Sequence, residues 1–180
     1  MKCTLKFKKS IFSLSFNMSY KKYDLKYMRG ATNRTKDGLY CVFLEYDNIL
    51  LGYVEDELKR LQDQFGLSDF IILESSKDSY HCYCFDKVSY VLYRQIQDNA
   101  TIDKKWVTFP IQHGTHNWVL RYTAKKKEKP QFISHMLSPY NRYQKSLPHI
   151  RLVEKIINRP IENRIACDTE SELYIGGYYV

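Results

Sequence analysis

The sequence predicts an α+β fold in which an antiparallel sheet carries two helices on one face. Three observations lead there. Runs rich in β-branched and aromatic residues recur at residues 39–46, 69–74, 79–85, 107–111 and 118–122. Two stretches with helical apolar spacing, residues 54–65 and 88–96, fall between them. Polar turn pairs separate the segments. A chain of 180 residues suits one domain with a short appendage. The hydrophobic share of 44% supports a packed core and excludes wholesale disorder. No apolar run approaches the ~18–20 residues that span a bilayer, so no membrane partner is expected.

The elements follow in order. Residues 39–46, LYCVFLEY, are apolar on both faces and end at the turn pair Asp47-Asn48. In residues 54–65, Val54, Leu58, Leu61 and Phe65 share a face, with Glu55, Asp56 and Glu57 in the expected first turn and Gly66 as the stop. Residues 69–74 and 79–85 flank a polar turn and predict a hairpin. Residues 88–96 place Val88, Val91, Leu92 and Gln95 on one side of a second helix. Residues 107–111 and 118–122 read as two more strands around Gly114. The order β-α-β-β-α-β with one added strand is that of an RNA-recognition-motif-like or ferredoxin-like sheet, with the first and third strands central and adjacent. Its second face is then free for a ligand.

Residues 1–38 read as a basic N-terminal extension, 39–129 as the core, and 130–180 as a C-terminal extension packing on it. In that extension, residues 138–148 read as loop, 152–157 as a short helix and 172–179 as a final strand; His135, Arg142, His149 and Arg151 are expected at the surface.

The net charge of +8 is unevenly spread. Residues 1–38 carry +8, residues 39–100 carry −6, and residues 101–180 carry +6. Basic flanks around an acidic middle suit a protein that holds metal with carboxylates and nucleic acid with its ends. The five cysteines are odd in number and scattered, with no second pair beside Cys82 and Cys84 to complete a zinc site. Buried free thiols in a reducing cytoplasm are expected. Residues 11–16 alternate apolar residues with serine and lack the apolar core of a secretory signal.

Glu45 and Asp47 lie two apart at the end of the first strand, on one face and roughly 7 Å apart. Two like charges on one face call for a cation or a base between them, and hard Mg²⁺ or Mn²⁺ suits carboxylate oxygens. Ser79 and His81 share a face of the third strand, where they would lie next to the acids and hold a nucleotide phosphate. Asp103, after Ile102, is the third acid preferred over Asp98. Arg121 on the last strand would grip a triphosphate, and Lys125, Lys126 and Lys127 a nucleic-acid backbone.

Together these residues resemble the archaeo-eukaryotic primase superfamily, the catalytic module of small plasmid and viral primases and primase–polymerases. Acid-hydrophobic-acid at a strand end is matched by Glu45-Tyr46-Asp47, Ser-x-His by Ser79-Tyr80-His81, and hydrophobic-acid by Ile102-Asp103. The segment from His113 through Asn117, with Leu120-Arg121, echoes the family's arginine strand and its Gly-Thr-x-Asn-like turn. The likeness covers residues 39–129 and departs from the family in its first acid, Glu45 where Asp is usual. It implies a template-dependent nucleotidyltransferase with Glu45, Asp47 and Asp103 on Mg²⁺ or Mn²⁺ and His81 with Ser79 on the incoming triphosphate. DNA template, nucleoside triphosphates and a separate helicase or replication initiator would be its partners, in DNA replication of a plasmid, virus or other mobile element. The setting would be the cytoplasm of a prokaryote or of a virus-infected host.

Two other readings stand beside it. A rolling-circle replication initiator endonuclease would need paired histidines one residue apart and a tyrosine nucleophile; His81-Cys82-Tyr83 and His113 with His116 lack that spacing. A non-catalytic nucleic-acid-binding module would stack bases on Tyr40, Tyr83, Phe85 and Trp118.

Overall fold

The computed structural model describes residues 2–5, 16–19, 28–124, 129–161 and 175–178. The protein is α+β, with antiparallel sheets and four helices among these residues. β1 (Lys2–Leu5) and β2 (Phe16–Ser19) pair with each other. A four-stranded sheet has the order β4-β6-β5-β8, formed by β4 (Tyr40–Asp47), β5 (Phe70–Ser76), β6 (Ser79–Val88) and β8 (Gln131–Met136). A three-stranded sheet has β3 (Met28–Thr32) between β7 (Val119–Arg121) and β9 (Ile175–Tyr178). No helix among the described residues is long and apolar enough to cross a membrane.

Both faces of the four-stranded sheet are covered. On one face Val42, Leu44, Ile72 and Cys82 pack against Val54, Leu58 and Leu61 of α1 (Leu51–Phe65) and Tyr93 and Ile96 of α2 (Tyr90–Asp98). On the other, Cys41, Phe43, Ile71, Leu73 and Tyr83 meet Ala31 of β3, Leu120 of β7, and Ile150 and Val153 of α4 (Leu147–Ile157). The expected open second face is therefore occupied over most of its area. β3 reaches it because Gly30 has no side chain: a Cβ there would sit 2.3 Å from a Val119 methyl.

Other expectations are corrected by local chemistry. Residues 107–111 are not a strand but part of α3 (Lys104–Gln112). Asp103 caps this helix, accepting from the Lys105 amide at 2.9 Å, and Trp106 anchors it by donating its indole N–H to the Val119 carbonyl at 2.9 Å. With no strand from that segment, β4 is an edge strand of its sheet rather than a central one, though it is adjacent to β6 as expected. The helix α1 begins three residues early, which moves Glu55, Asp56 and Glu57 out of its first turn. Gly66 ends it in a left-handed conformation, φ 68°, where glycine carries no steric penalty. Tyr40, Tyr83, Phe85 and Trp118, expected to be available for stacking, are core residues with at most 5% exposure.

His149 is likewise buried rather than at the surface. Its Nδ1 faces the Ser146 hydroxyl at 2.6 Å and the Cys41 thiol at 3.5 Å, and its Nε2 meets the Thr32 carbonyl at 2.9 Å. It thus ties α4 to β3 and β4 across the second core. Burial lowers its pKa from 6.5 to about 4, partly offset by the bond to Thr32. The imidazole is therefore neutral in the fold at pH 7 and protonates more readily when unfolded. The stability this contributes is full above pH 6.5 and is lost as pH falls towards 4. Urea midpoints measured across that range should reveal a loss on the order of 3 kcal/mol that is absent in His149→Gln.

Candidate functional site

The end of β4 carries the two carboxylates, and the register brings their expected partners alongside. Glu45 stands opposite His81, and Asp47 opposite Ser79. The Ser79 hydroxyl donates to the Asp47 carboxylate. His81 Nε2 lies 3.7 Å from Glu45 Oε1, with the imidazole 2% exposed and the Glu45 side chain 29% exposed. The site is therefore a buried base with an acid at its mouth.

Arg121 enters from the other sheet. Its guanidinium donates to the Ser75 carbonyl at 3.0 Å and the Thr123 carbonyl at 2.5 Å, fastening β7 to the end of β5. Burial lowers its pKa, and the charge of Glu45 acts in the opposite direction, placing the two groups in each other's field. Beside it, a cavity of about 270 Å³ is lined by Glu74, Ser75, Ser76, Lys77, Lys129 and Gln131. Lys125, Lys126 and Lys127 lie outside the described residues.

Asp103 is close in backbone but not in function as drawn. Its amide donates to the Glu45 carbonyl at 2.9 Å, continuing the edge of β4, while its carboxylate is spent on the α3 cap. Asp98, its rival, pairs with Arg94 at 2.9 Å. Among the described residues no three His, Cys, Asp or Glu side chains converge as a metal site would need. Glu45 and Asp47 carry hard carboxylate oxygens of the kind that Mg²⁺ or Mn²⁺ would require, while the Asp103 carboxylate is engaged at the start of α3.

Tyr83, which the sequence suggests as a base-stacking residue, lies here instead as a buried neighbour of the site. Its ring lies in the second core, 4.9 Å from that of Phe43, and its hydroxyl is buried without a hydrogen-bond partner. The same is true of His81 Nδ1, two positions earlier on the same face. Burial raises the phenol's pKa, with Glu45 adding to the effect and Arg121 opposing it. Alternation along β6 signals the shared face, but no sequence pattern signals an unmet polar atom. Comparison with protein-family models, with curated proteins and with solved structures gives no match to this chain.

A buried hydroxyl with no partner costs about 1–3 kcal/mol. Tyr83→Phe should therefore leave the urea midpoint of the protein unchanged or raise it, whereas Tyr46→Phe, which removes the 2.8 Å bond to Glu57, should lower it by about 1 kcal/mol.

Proposed function

We propose that this protein is a primase- or polymerase-type nucleotidyltransferase of a plasmid, virus or other mobile element, built on an RNA-recognition-motif-like core. One observation supports the reading: cross-strand pairing sets Glu45 against His81 and Asp47 against Ser79. The acids of β4 and the base and hydroxyl of β6 adjoin at one sheet end, with the Arg121 guanidinium supplied by β7. That set handles a triphosphate on an acidic centre.

In this reading Glu45 and Asp47, with Asp103, would hold Mg²⁺ or Mn²⁺, which when bound would supply charge neutralisation and activation of the attacking hydroxyl. His81 and Ser79 orient the phosphates of the incoming nucleotide. Arg121 lies within reach of the same charge and steadies the site by holding the ends of β5 and β7 together. The 3′-hydroxyl oxygen of the primer would form the new bond to the α-phosphorus as the bond from that phosphorus to the bridging β-phosphate oxygen breaks, the hydroxyl proton passing to solvent and pyrophosphate leaving. DNA template, nucleoside triphosphates and a separate helicase or initiator are the partners this chemistry requires.

A binding module without catalysis is the second reading, favoured by the engagement of the Asp103 carboxylate as a helix cap and of Arg121 on two backbone carbonyls. Primer extension on a DNA template separates the two. Wild type should incorporate nucleotides with Mg²⁺ or Mn²⁺, and Asp47→Ala should reduce the rate at least about 100-fold while retaining DNA affinity. DNA binding by wild type with no incorporation under either metal would leave the binding module.

A further inference from the structure

We propose that the outward face of α3 binds single-stranded DNA, the rings of Phe109 and His113 receiving a base and the Lys104 and Lys105 ammonium groups receiving phosphates.

The inner face of this helix is locked. Pro110 is buried, Trp106 donates its indole N–H to the Val119 carbonyl at 2.9 Å, and the Val107 carbonyl accepts the Trp118 indole N–H at 3.1 Å. The outer face is thereby presented in a set orientation before any ligand arrives, which lowers the entropy cost of binding. On it Lys104, Lys105, Phe109, Ile111 and His113 are all exposed. Lys105, Phe109 and His113 stand four apart and form one ridge, with about 6 Å between successive members along the axis.

A single exposed apolar side chain needs no explanation. Phe109 differs because, at 54% exposure, its ring has a partner: its centroid lies 4.3 Å from that of His113, the two planes inclined at 46°. Two exposed rings held this close form a ledge, on which a base can stack against one and meet the edge of the other.

The charge on this face has one sign. Lys104 and Lys105 lie about one turn before the rings, and among the described residues neither is held in an ion pair. The helix itself contains no acid, and its cap Asp103 has its carboxylate on the Lys105 amide at 2.9 Å. Cations and paired rings on one ridge match a polyanion whose π-faces are accessible. A duplex offers the charge but hides its base faces in the stack. A single strand offers both.

The helix also starts at the candidate site. The Asp103 amide donates to the Glu45 carbonyl at 2.9 Å, and Phe109 lies about 9 Å further along the axis. A strand laid on the ridge would therefore lead towards the carboxylate end of β4. That the strand is DNA rests on the nucleotidyltransferase reading above; that it is single rests on this face alone.

The test is an anisotropy titration of the full chain with fluorescein-labelled oligothymidylate, without nucleotides or divalent metal, compared with oligouridylate and with a DNA duplex of equal length. The DNA strand should bind most tightly. Phe109→Ala should weaken it about tenfold while keeping the slope of log affinity against log salt. Lys104→Gln combined with Lys105→Gln should weaken it and reduce that slope by about 1.4. Phe109→Trp should bind like wild type, its added indole fluorescence quenched by the strand. These side chains are exposed, so the variants are expected to fold, and their thermal midpoints verify this. Alanine and glutamine variants that bind like wild type would overturn the surface even in a protein that extends primers. Binding through α3 with no primer extension would support the surface and overturn the enzyme alone. Tighter binding of the RNA or of the duplex would overturn the single-stranded DNA. Self-association abolished by Phe109→Ala, with no DNA bound, would overturn the strand in favour of a second copy of this chain.

Discussion

A strand buried on both faces has room for charge only at its ends, and the structure is organised around β4 meeting that condition. Cys41, Val42, Phe43 and Leu44 are wholly buried, alternating between the core under α1 and α2 and the core under β3, β7 and α4. Polarity begins at Glu45 and reaches open solvent at Asp47. The same packing fixes the pairing with β6. A slip of one residue would turn Phe43 into the helical layer and Leu44 into the other. Hydrophobic register therefore decides that His81 and Ser79, and not their neighbours Tyr80 and Cys82, stand beside the acids. The site geometry is a by-product of core packing.

Much of this was legible. Apolar residues on both faces of 39–46 were visible in the sequence, and taken alone they require two covering layers. The second face was nevertheless read as open, because its cover comes from β3 and α4, which are distant in sequence and weak in local pattern. β3 contains Gly30 and only five residues, and it is held by pairing with β7 and β9 rather than by propensity. α3 was misread because Val107 and Phe109 favour strands. Asp103 as a cap and Trp106 as an anchor outweighed that preference, which spans only about 1 kcal/mol. The pairing of Glu45 and Asp47 with His81 and Ser79 followed from alternation and strand adjacency, so it was predictable. The capping role of Asp103 was not, since it depends on a helix that the local pattern concealed.

Buried polar groups fall into two sets. One is fully engaged and lies where layers join: His149 among Ser146, Cys41 and Thr32, Asp86 with both the amide and the hydroxyl of Ser68 at 2.7 Å, and Asn33 across three strands. These groups fix how the layers sit, and their satisfaction makes them affordable in the interior. The other set includes His81 Nδ1, Tyr83 Oη and Asn117 Oδ1, which have no partner. The first two face the junction beside Glu45 and Arg121, and the third lies at the opposite end of β4. Gln62 Oε1 and Gln97 Nε2 are unmet as well, so it is the pair of unmet atoms on one face of β6, beside Glu45, that sets this junction apart.

The acidic middle of the chain is resolved in the same terms. Several of its carboxylates are structural partners. Glu57 takes the Tyr46 hydroxyl and both the amide and hydroxyl of Thr101, Asp69 takes His135 and the Ser138 amide, and Asp86 takes Ser68. Asp63 and Asp98 pair along their own helices with Lys59 and Arg94. Glu45 differs. Its nearest cationic candidate is a histidine at 3.7 Å, longer than a hydrogen bond, with the Arg121 charge beyond. A carboxylate held at that distance from its neighbours keeps its oxygens available. The fold commits Glu57, Asp69 and Asp86 to internal bonds and leaves Glu45 partly exposed at the strand end, beside Asp47, which accepts from the Ser79 hydroxyl.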